Sequence, residues 1–223
     1  MTTFDELSER LDSLRIPVHG QQIAVWPREL EVLQLTDSPA IFITRFADAP
    51  ELNEALARRL FELETDQQFT HRMEMGGSKI RDMHRWGIPE ADLINARAKA
   101  FFSLATGDPN PVVDLAWANI SRKHEYLGPH SHNNSVGSVV YCVDPGEPDP
   151  NNRGSGRLAF VDPRIPACCK WQDDCMTDEL WPDIHAGSMV LFPSQMVHFV
   201  HPYTGNRPRI TIAWNILDSR QRG

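Results

Sequence analysis

Two histidines stand two residues apart in GPHSHNNSVGSVVYCV, at His130 and His132, just after Gly-Pro and just before a run that reads as a β-strand. Residues i and i+2 of an extended segment face the same side, so both imidazoles can address one point. Neutral imidazole nitrogens suit first-row transition metals, and a third ligand must then come from elsewhere in the chain. The leading candidate is His198 in FPSQMVHFVHP, which follows the strand-like GSMVLFP. His201 is its competitor, but three residues further along an extended segment it faces the opposite way. An isolated histidine is more often a structural or surface residue than a ligand. An H-x-H pair with a distant third histidine is a more specific pattern.

The run RPRITIAWN adds a second chemistry. Arg209 follows His198 by 209 − 198 = 11 residues, and Thr211 follows Arg209 at plus two. An arginine pointing inward from a strand is a costly buried charge unless an anion meets it. Guanidinium matches a carboxylate in bidentate fashion, and a threonine hydroxyl on the same face can donate one more hydrogen bond. The pair reads as an anchor for the far carboxylate of a dicarboxylic acid; the alternative is a surface arginine on an edge strand.

These residues need elements to position them. Phe4, Leu7, Leu11 and Leu14 fall at helical spacing over 3–15, and Leu52, Leu56, Leu60 and Leu63 repeat the pattern after Pro50. A third helix is expected from Pro89 to about Leu104, since proline suits a first helical turn. The stretch between the first two helices contains a strand-like IFITRF. After Asn110 the texture becomes short β-rich runs, VVDLAWANIS, SVGSVVYCV, GRLAFVD, GSMVLFP, VHFVHP and PRITIAWNI, separated by Gly, Pro, Asn and Asp. Such spacing predicts an antiparallel sandwich or barrel. The reading is a mainly β protein with N-terminal helices, a jelly roll or double-stranded β-helix. Residues 1–110 form a helical support region and 111–223 the catalytic core of one structural unit. The long block 163–183, with Trp171 and Trp181, reads as a lid or binding element.

Here the sequence resembles a family. H-x-H, a strand, G-S-M-V-L-F-P-S, a distal histidine and R-I-T-I-A-W-N are similar to the Fe(II)- and 2-oxoglutarate-dependent oxygenases, and most of all to a small bacterial and phage group among them. The matching pieces are Trp117 to Ser121, His130 to His132, Val139 to Tyr141, Asp162-Pro163-Arg164, Phe192-Pro193-Ser194, His198 and Arg209 to Asn215. The resemblance spans about residues 112–216. It implies a double-stranded β-helix, iron held by His130 and His198, and 2-oxoglutarate chelating the metal with its far carboxylate on Arg209 and Thr211. It places Tyr141 and Asn119 near the cosubstrate, although either could be a satisfied core polar group. It implies that O2 and 2-oxoglutarate are converted to succinate and CO2 while a small-molecule or amino-acid-type substrate is hydroxylated or desaturated. Trp117, Trp214, Trp171 and Trp181 are candidates for the substrate wall, and Trp117 and Trp214 equally for the core. One departure stands out, because the common facial triad is two histidines and one carboxylate, whereas the middle position here is His132. A three-histidine site is the favoured reading. The alternative leaves His132 beside a two-histidine metal or against substrate.

Two rivals stay open. A cupin-like non-haem iron dioxygenase without 2-oxoglutarate explains the histidines but gives Arg209 and Thr211 no task. A non-catalytic jelly-roll module with a structural metal or none explains less. Composition narrows the partners. Lys and Arg total 22 against 30 Asp and Glu, a formal net charge of −8, which argues against phosphate-driven nucleic-acid binding. No stretch approaches a membrane span, and MTTFDELSER is neither basic nor apolar enough for a leader, so a cytoplasmic protein is expected. Cys168, Cys169 and Cys175 cluster in PACCKWQDDC but contain no C-x-x-C, which weighs against a zinc site. Metal occupancy is expected to fall below the ordinary histidine range near pH 6.5.

Overall fold

A computed structural model describes residues 11, 13–26, 31–34, 40–161 and 179–219. Most of the expected helix over 3–15, most of the 163–183 block with Trp171 and the three clustered cysteines, and Asp162-Pro163-Arg164 lie outside them; at the end of the first stretch Arg15 already opens a strand.

The chain builds two antiparallel sheets that face each other. Fourteen strands are described: β1 (Arg15–Val18), β2 (Gln21–Ala24), β3 (Glu31–Gln34), β4 (Ala40–Arg45), β5 (Thr70–Arg72), β6 (Ser78–Ile80), β7 (Val112–Ser121), β8 (Leu127–His130), β9 (Gly137–Asp144), β10 (Leu158–Val161), β11 (Glu179–Leu180), β12 (Ser188–Pro193), β13 (His198–Val200) and β14 (Arg209–Leu217). The large sheet runs β3-β4-β12-β9-β14-β7-β6-β5, the small one β11-β10-β13-β8, and β1-β2 is a separate hairpin. This is the expected jelly roll with helices. IFITRF is β4, paired along β12.

Helix α1 (Ala49–Glu64) carries Pro50 in its first turn, and α2 (Pro89–Thr106) opens on Pro89. A proline there forfeits no intrahelical bond. Gly107 ends α2 in the left-handed conformation, its N–H closing on Ser103 O at 2.8 Å. Leu52, Leu56, Leu60 and Leu63 of α1 and Ile94, Ala98 and Phe101 of α2 pack on one face of the large sheet, forming the main core with Ile210, Ile212 and Trp214. A second, smaller core lies between the sheets, around Ile41, Ile43, Phe160, Val190 and Phe192. Among the described residues no helix is long and apolar enough to cross a membrane.

The period-2 pattern of each strand divides these two surfaces. On β14, Ile210, Ile212, Trp214 and Ile216 face the helices. Arg209, Thr211, Ala213 and Asn215 face the small sheet, in register with Asn119 and Trp117 of β7 and with Val140 and Ser138 of β9.

Candidate active site

The space between the sheets is not filled to its end. A cavity of about 340 Å³ opens where β8 and β13 of the small sheet meet β7, β9 and β14 of the large one. His198 and His130 are direct cross-strand partners on β13 and β8. β8 ends at His130, and the chain beyond is fixed by the His132 N–H donating to Ser194 O at 2.8 Å. The three imidazole ring centres lie 4.3 Å (His130–His198), 5.2 Å (His130–His132) and 5.3 Å (His132–His198) apart. One nitrogen from each falls within 4.8 Å of the others. The ring orientations are set from behind. Nδ1 of His130 lies 2.8 Å from Gly128 O and Nδ1 of His198 lies 2.9 Å from Met196 O. A carbonyl partner makes each Nδ1 the protonated nitrogen and leaves Nε2 with its lone pair free, as metal ligation requires.

Burial keeps two of the imidazoles neutral. The pKa of His198, a buried residue, is pushed down to about 3, mainly by desolvation and further by His130 and His132 against the opposing bond to Met196 O. His132 is pushed down to about 4 by desolvation, then by His130 and Lys79. Two of the three ligand candidates therefore stay neutral well below pH 6.5, which shifts the window expected from unperturbed histidines.

On the same cavity wall Arg209 is 5 % exposed, and among the described residues no carboxylate or other hydrogen-bond partner meets it. Burial pulls its pKa below the ordinary arginine value. Gly156 makes room for its stem, since a Cβ there would come 3.1 Å from Arg209 Cδ. Thr211 lines the cavity two residues along. Asn119, in register with Thr211, presents an Oδ1 that is buried with no partner among the described residues. Native interiors seldom leave such an atom unpaired, so the wall is built for a ligand or ordered water. Ser138 and Asn215 complete it, and a chain of hydrogen bonds holds them, Ser138 Oγ–Asn215 Oδ1 at 3.2 Å and Ser138 Oγ–Ser194 Oγ and Ser135 Oγ–Ser194 Oγ at 2.9 Å.

Not every expected residue arrives. Tyr141 lies on the opposite face of β9, fully buried among the helices, with its hydroxyl donating to Asn53 Oδ1 at 2.6 Å. Register is the reason: Cys142 sits opposite Thr211, and alternation turns Tyr141 away. Trp214 packs in the helical core, its Nε1 donating to Asn95 Oδ1 at 3.0 Å, and also borders the cavity. Trp117 does line the cavity. Trp181 donates to Glu179 Oε2, and His201 bonds the same carboxylate at 2.7 Å, away from the three histidines. Sequence reasoning missed Lys79 and Ser138. The alternation of Ser138 with Val140 was a usable signal for the second; nothing local in SKI marks the first.

Comparison with known proteins agrees with this geometry. Residues 115–215 match the family model described as "Putative 2OG-Fe(II) oxygenase". No curated protein sequence is significantly similar to the chain. Among solved structures, AviO1 from Streptomyces viridochromogenes Tue57 superposes with a TM-score of 0.58 at 18 % identity, covering 80 % of this chain and 90 % of that one. HygX from Streptomyces hygroscopicus, solved with nickel and 2-oxoglutarate bound, gives 0.59 at 10 %, covering 80 % and 82 %. A Trichoplax adhaerens prolyl hydroxylase in complex with a hypoxia inducible factor peptide gives 0.59 at 12 %, covering 82 % and 85 %. At these identities the structures speak for the fold. The matched segment 115–215 holds all three histidines, Asn119, Arg209 and Thr211. Residues 115–215 are therefore similar to the 2-oxoglutarate- and Fe(II)-dependent oxygenases.

Proposed function

We propose that His130, His132 and His198 hold Fe(II) through their Nε2 atoms, and that Arg209 and Thr211 seat the far carboxylate of 2-oxoglutarate. The observation that carries this is one cavity containing both three imidazole nitrogens within 4.8 Å of one another and a buried guanidinium with no protein anion among the described residues. The donor set fits the groups. Imidazole accepts Fe(II) readily, and a guanidinium fork fits a carboxylate. Asn119 can turn its amide so that Nδ2 donates to the same ligand.

When bound, iron and 2-oxoglutarate supply the oxidising chemistry, with O2 consumed and succinate and CO2 released as the substrate is oxidised. The chain supplies position. Gly128 O and Met196 O hold two imidazoles in ligating orientation, and Ser194 O holds the backbone of the third. Phe160 and Phe192 pack against His198 and keep water from that flank. Trp117 walls the side open to a small-molecule or amino-acid-type substrate. Helices α1 and α2 support the 111–223 core in one structural unit, while β3 to β6, also before residue 111, extend its large sheet. Asn53 ties α1 to the core, accepting from Tyr141 and donating to Val143 O at 2.8 Å.

The test is whether O2 uptake by the Fe(II)-loaded protein requires 2-oxoglutarate. Strict dependence with stoichiometric succinate is expected. Uptake without 2-oxoglutarate would overturn the reading in favour of a cupin-like dioxygenase.

A further inference from the structure

Lys79 belongs to neither group assigned above, yet it stands at the mouth of the same cavity. It lies on β6, opposite Asn119 of β7 in the register, so its side chain leaves the sheet on the site face. Its Nζ sits 4.0 Å from the centre of the Trp117 ring. Lys79 and Trp117 line both the histidine cavity and a second one of about 560 Å³, which runs outward past Arg81, Asn95, Asp114 and Leu115. The pair is therefore the junction between the oxidising end of the site and an outer groove.

The ammonium is half-buried, and among the described residues it pairs with no carboxylate. Among the described residues no Asp or Glu lines the histidine cavity, whereas Asp82, Asp92 and Asp114 line the outer groove. Neutral histidines contribute no negative charge where the common triad contributes one. With iron and 2-oxoglutarate in place, the positive charges of the metal, Arg209 and Lys79 exceed those of the dianion. A half-desolvated cation in such a field is stabilised by an anion delivered with the substrate.

We propose that Lys79 reads a carboxylate on the substrate. The substrate class is then a small-molecule carboxylate that lies along the Trp117 face, one end toward the histidines and the remainder in the outer groove. This rests on the function proposed above. The rival account is that Lys79 merely stacks on Trp117, an attraction that is itself favourable.

A matched pair of probes separates the two. The protein is loaded with Ni(II), which binds without turnover, and saturated with 2-oxoglutarate so that Arg209 is occupied. Phenylacetate and phenylacetamide, alike in shape and differing in charge, are then titrated by calorimetry. Phenylacetate is expected to bind about tenfold tighter, as one charge-assisted hydrogen bond allows. Lys79→Met should reduce that preference to less than about twofold, and Lys79→Arg should keep most of it. Equal affinities in the wild type, no detectable phenylacetate binding at millimolar concentration, or a preference retained in Lys79→Met would overturn the proposal. So would a loss of 2-oxoglutarate affinity in Lys79→Met, which would assign the ammonium to the cosubstrate instead. The wild-type comparison decides even if the Met variant fails to fold. Failure of the wild type to take up Ni(II) and 2-oxoglutarate would instead sink the underlying function, and this inference with it.

Discussion

The two faces of the large sheet are made from the same strands and obey opposite rules. Toward the helices, Ile210, Ile212, Trp214, Tyr141 and Ile120 are closed over, and each polar atom there that can be followed has a partner: the Tyr141 hydroxyl has Asn53 and the Trp214 indole has Asn95. Toward the small sheet, Arg209, Thr211, Asn119 and Asn215 line open space; the guanidinium and one amide oxygen have no partner among the described residues. The first face lowers the free energy of the fold. The second keeps polar groups desolvated and ready, at a cost in stability that a ligand offsets. Function sits where the packing rules are broken and structure where they are kept.

That contrast can be broken most directly at the histidines. His198→Ala and His130→Ala are expected to abolish metal binding and turnover while the fold persists, checked by metal analysis and circular dichroism. His132 divides the two metal models. His132→Ala loses iron if the residue is a ligand and keeps it otherwise, whereas His132→Asp restores the common carboxylate triad and should retain iron. A His132→Ala protein that stays fully loaded with metal would refute the three-histidine site and leave the oxygenase proposal intact.

Opposite effects are expected from two residues of one strand. Arg209→Ala should weaken 2-oxoglutarate by about 3–5 kcal/mol, the cost of removing one partner of a desolvated charge pair. Iron should stay bound and the unfolding midpoint should hold or rise, because an unpaired buried charge has gone. Trp214→Ala should cost about 3–5 kcal/mol of stability through the cavity it leaves. Calorimetric titration and urea unfolding of both variants test this. A large stability loss in Arg209→Ala would erase the distinction between the faces.

The next effect is in pH. The folded-state pKa values of His198 and His132 are depressed to about 3 and about 4. The metal-free native state therefore resists protons that the unfolded chain accepts below about 6.5. Stability is complete above that value and falls as pH drops toward the folded pKa values. A loss on the order of 2–4 kcal/mol is expected between pH 7.5 and 5, at about 1.4 kcal/mol per unit for each group before discounting the half-open His132. This window lies above the carboxylate range. Urea unfolding at the two pH values measures it, and equal stabilities would contradict the burial of the histidines.

The smallest effect concerns Tyr141. Tyr141→Phe leaves Asn53 Oδ1 without its donor and should cost about 1–3 kcal/mol of stability, with 2-oxoglutarate affinity unchanged. A weakened cosubstrate would return the tyrosine to the site.

Much of this molecule was legible in one dimension. Alternation in PRITIAWNI predicts a strand with one apolar and one polar face, and the polar face proves to be Arg209, Thr211 and Asn215. The prolines at the starts of α1 and α2, and the opposite orientations of His198 and His201, follow from local geometry alone. What alternation cannot give is which face of one strand meets which face of another. In GSVVYCVD either Val140 or Tyr141 could have lined the cavity. The answer comes from Thr211 standing opposite Cys142, a pairing between residues about seventy positions apart. Lys79 is a sharper case. Nothing in GGSKI distinguishes it from a solvated lysine, and only the pairing of β6 with β7 carries it to the mouth of the site. Residue types and short spacings determine ligand chemistry and strand period, because these depend on bonds within a few residues. Register and layer order determine which side chains converge, because they are set by packing between segments far apart in the chain.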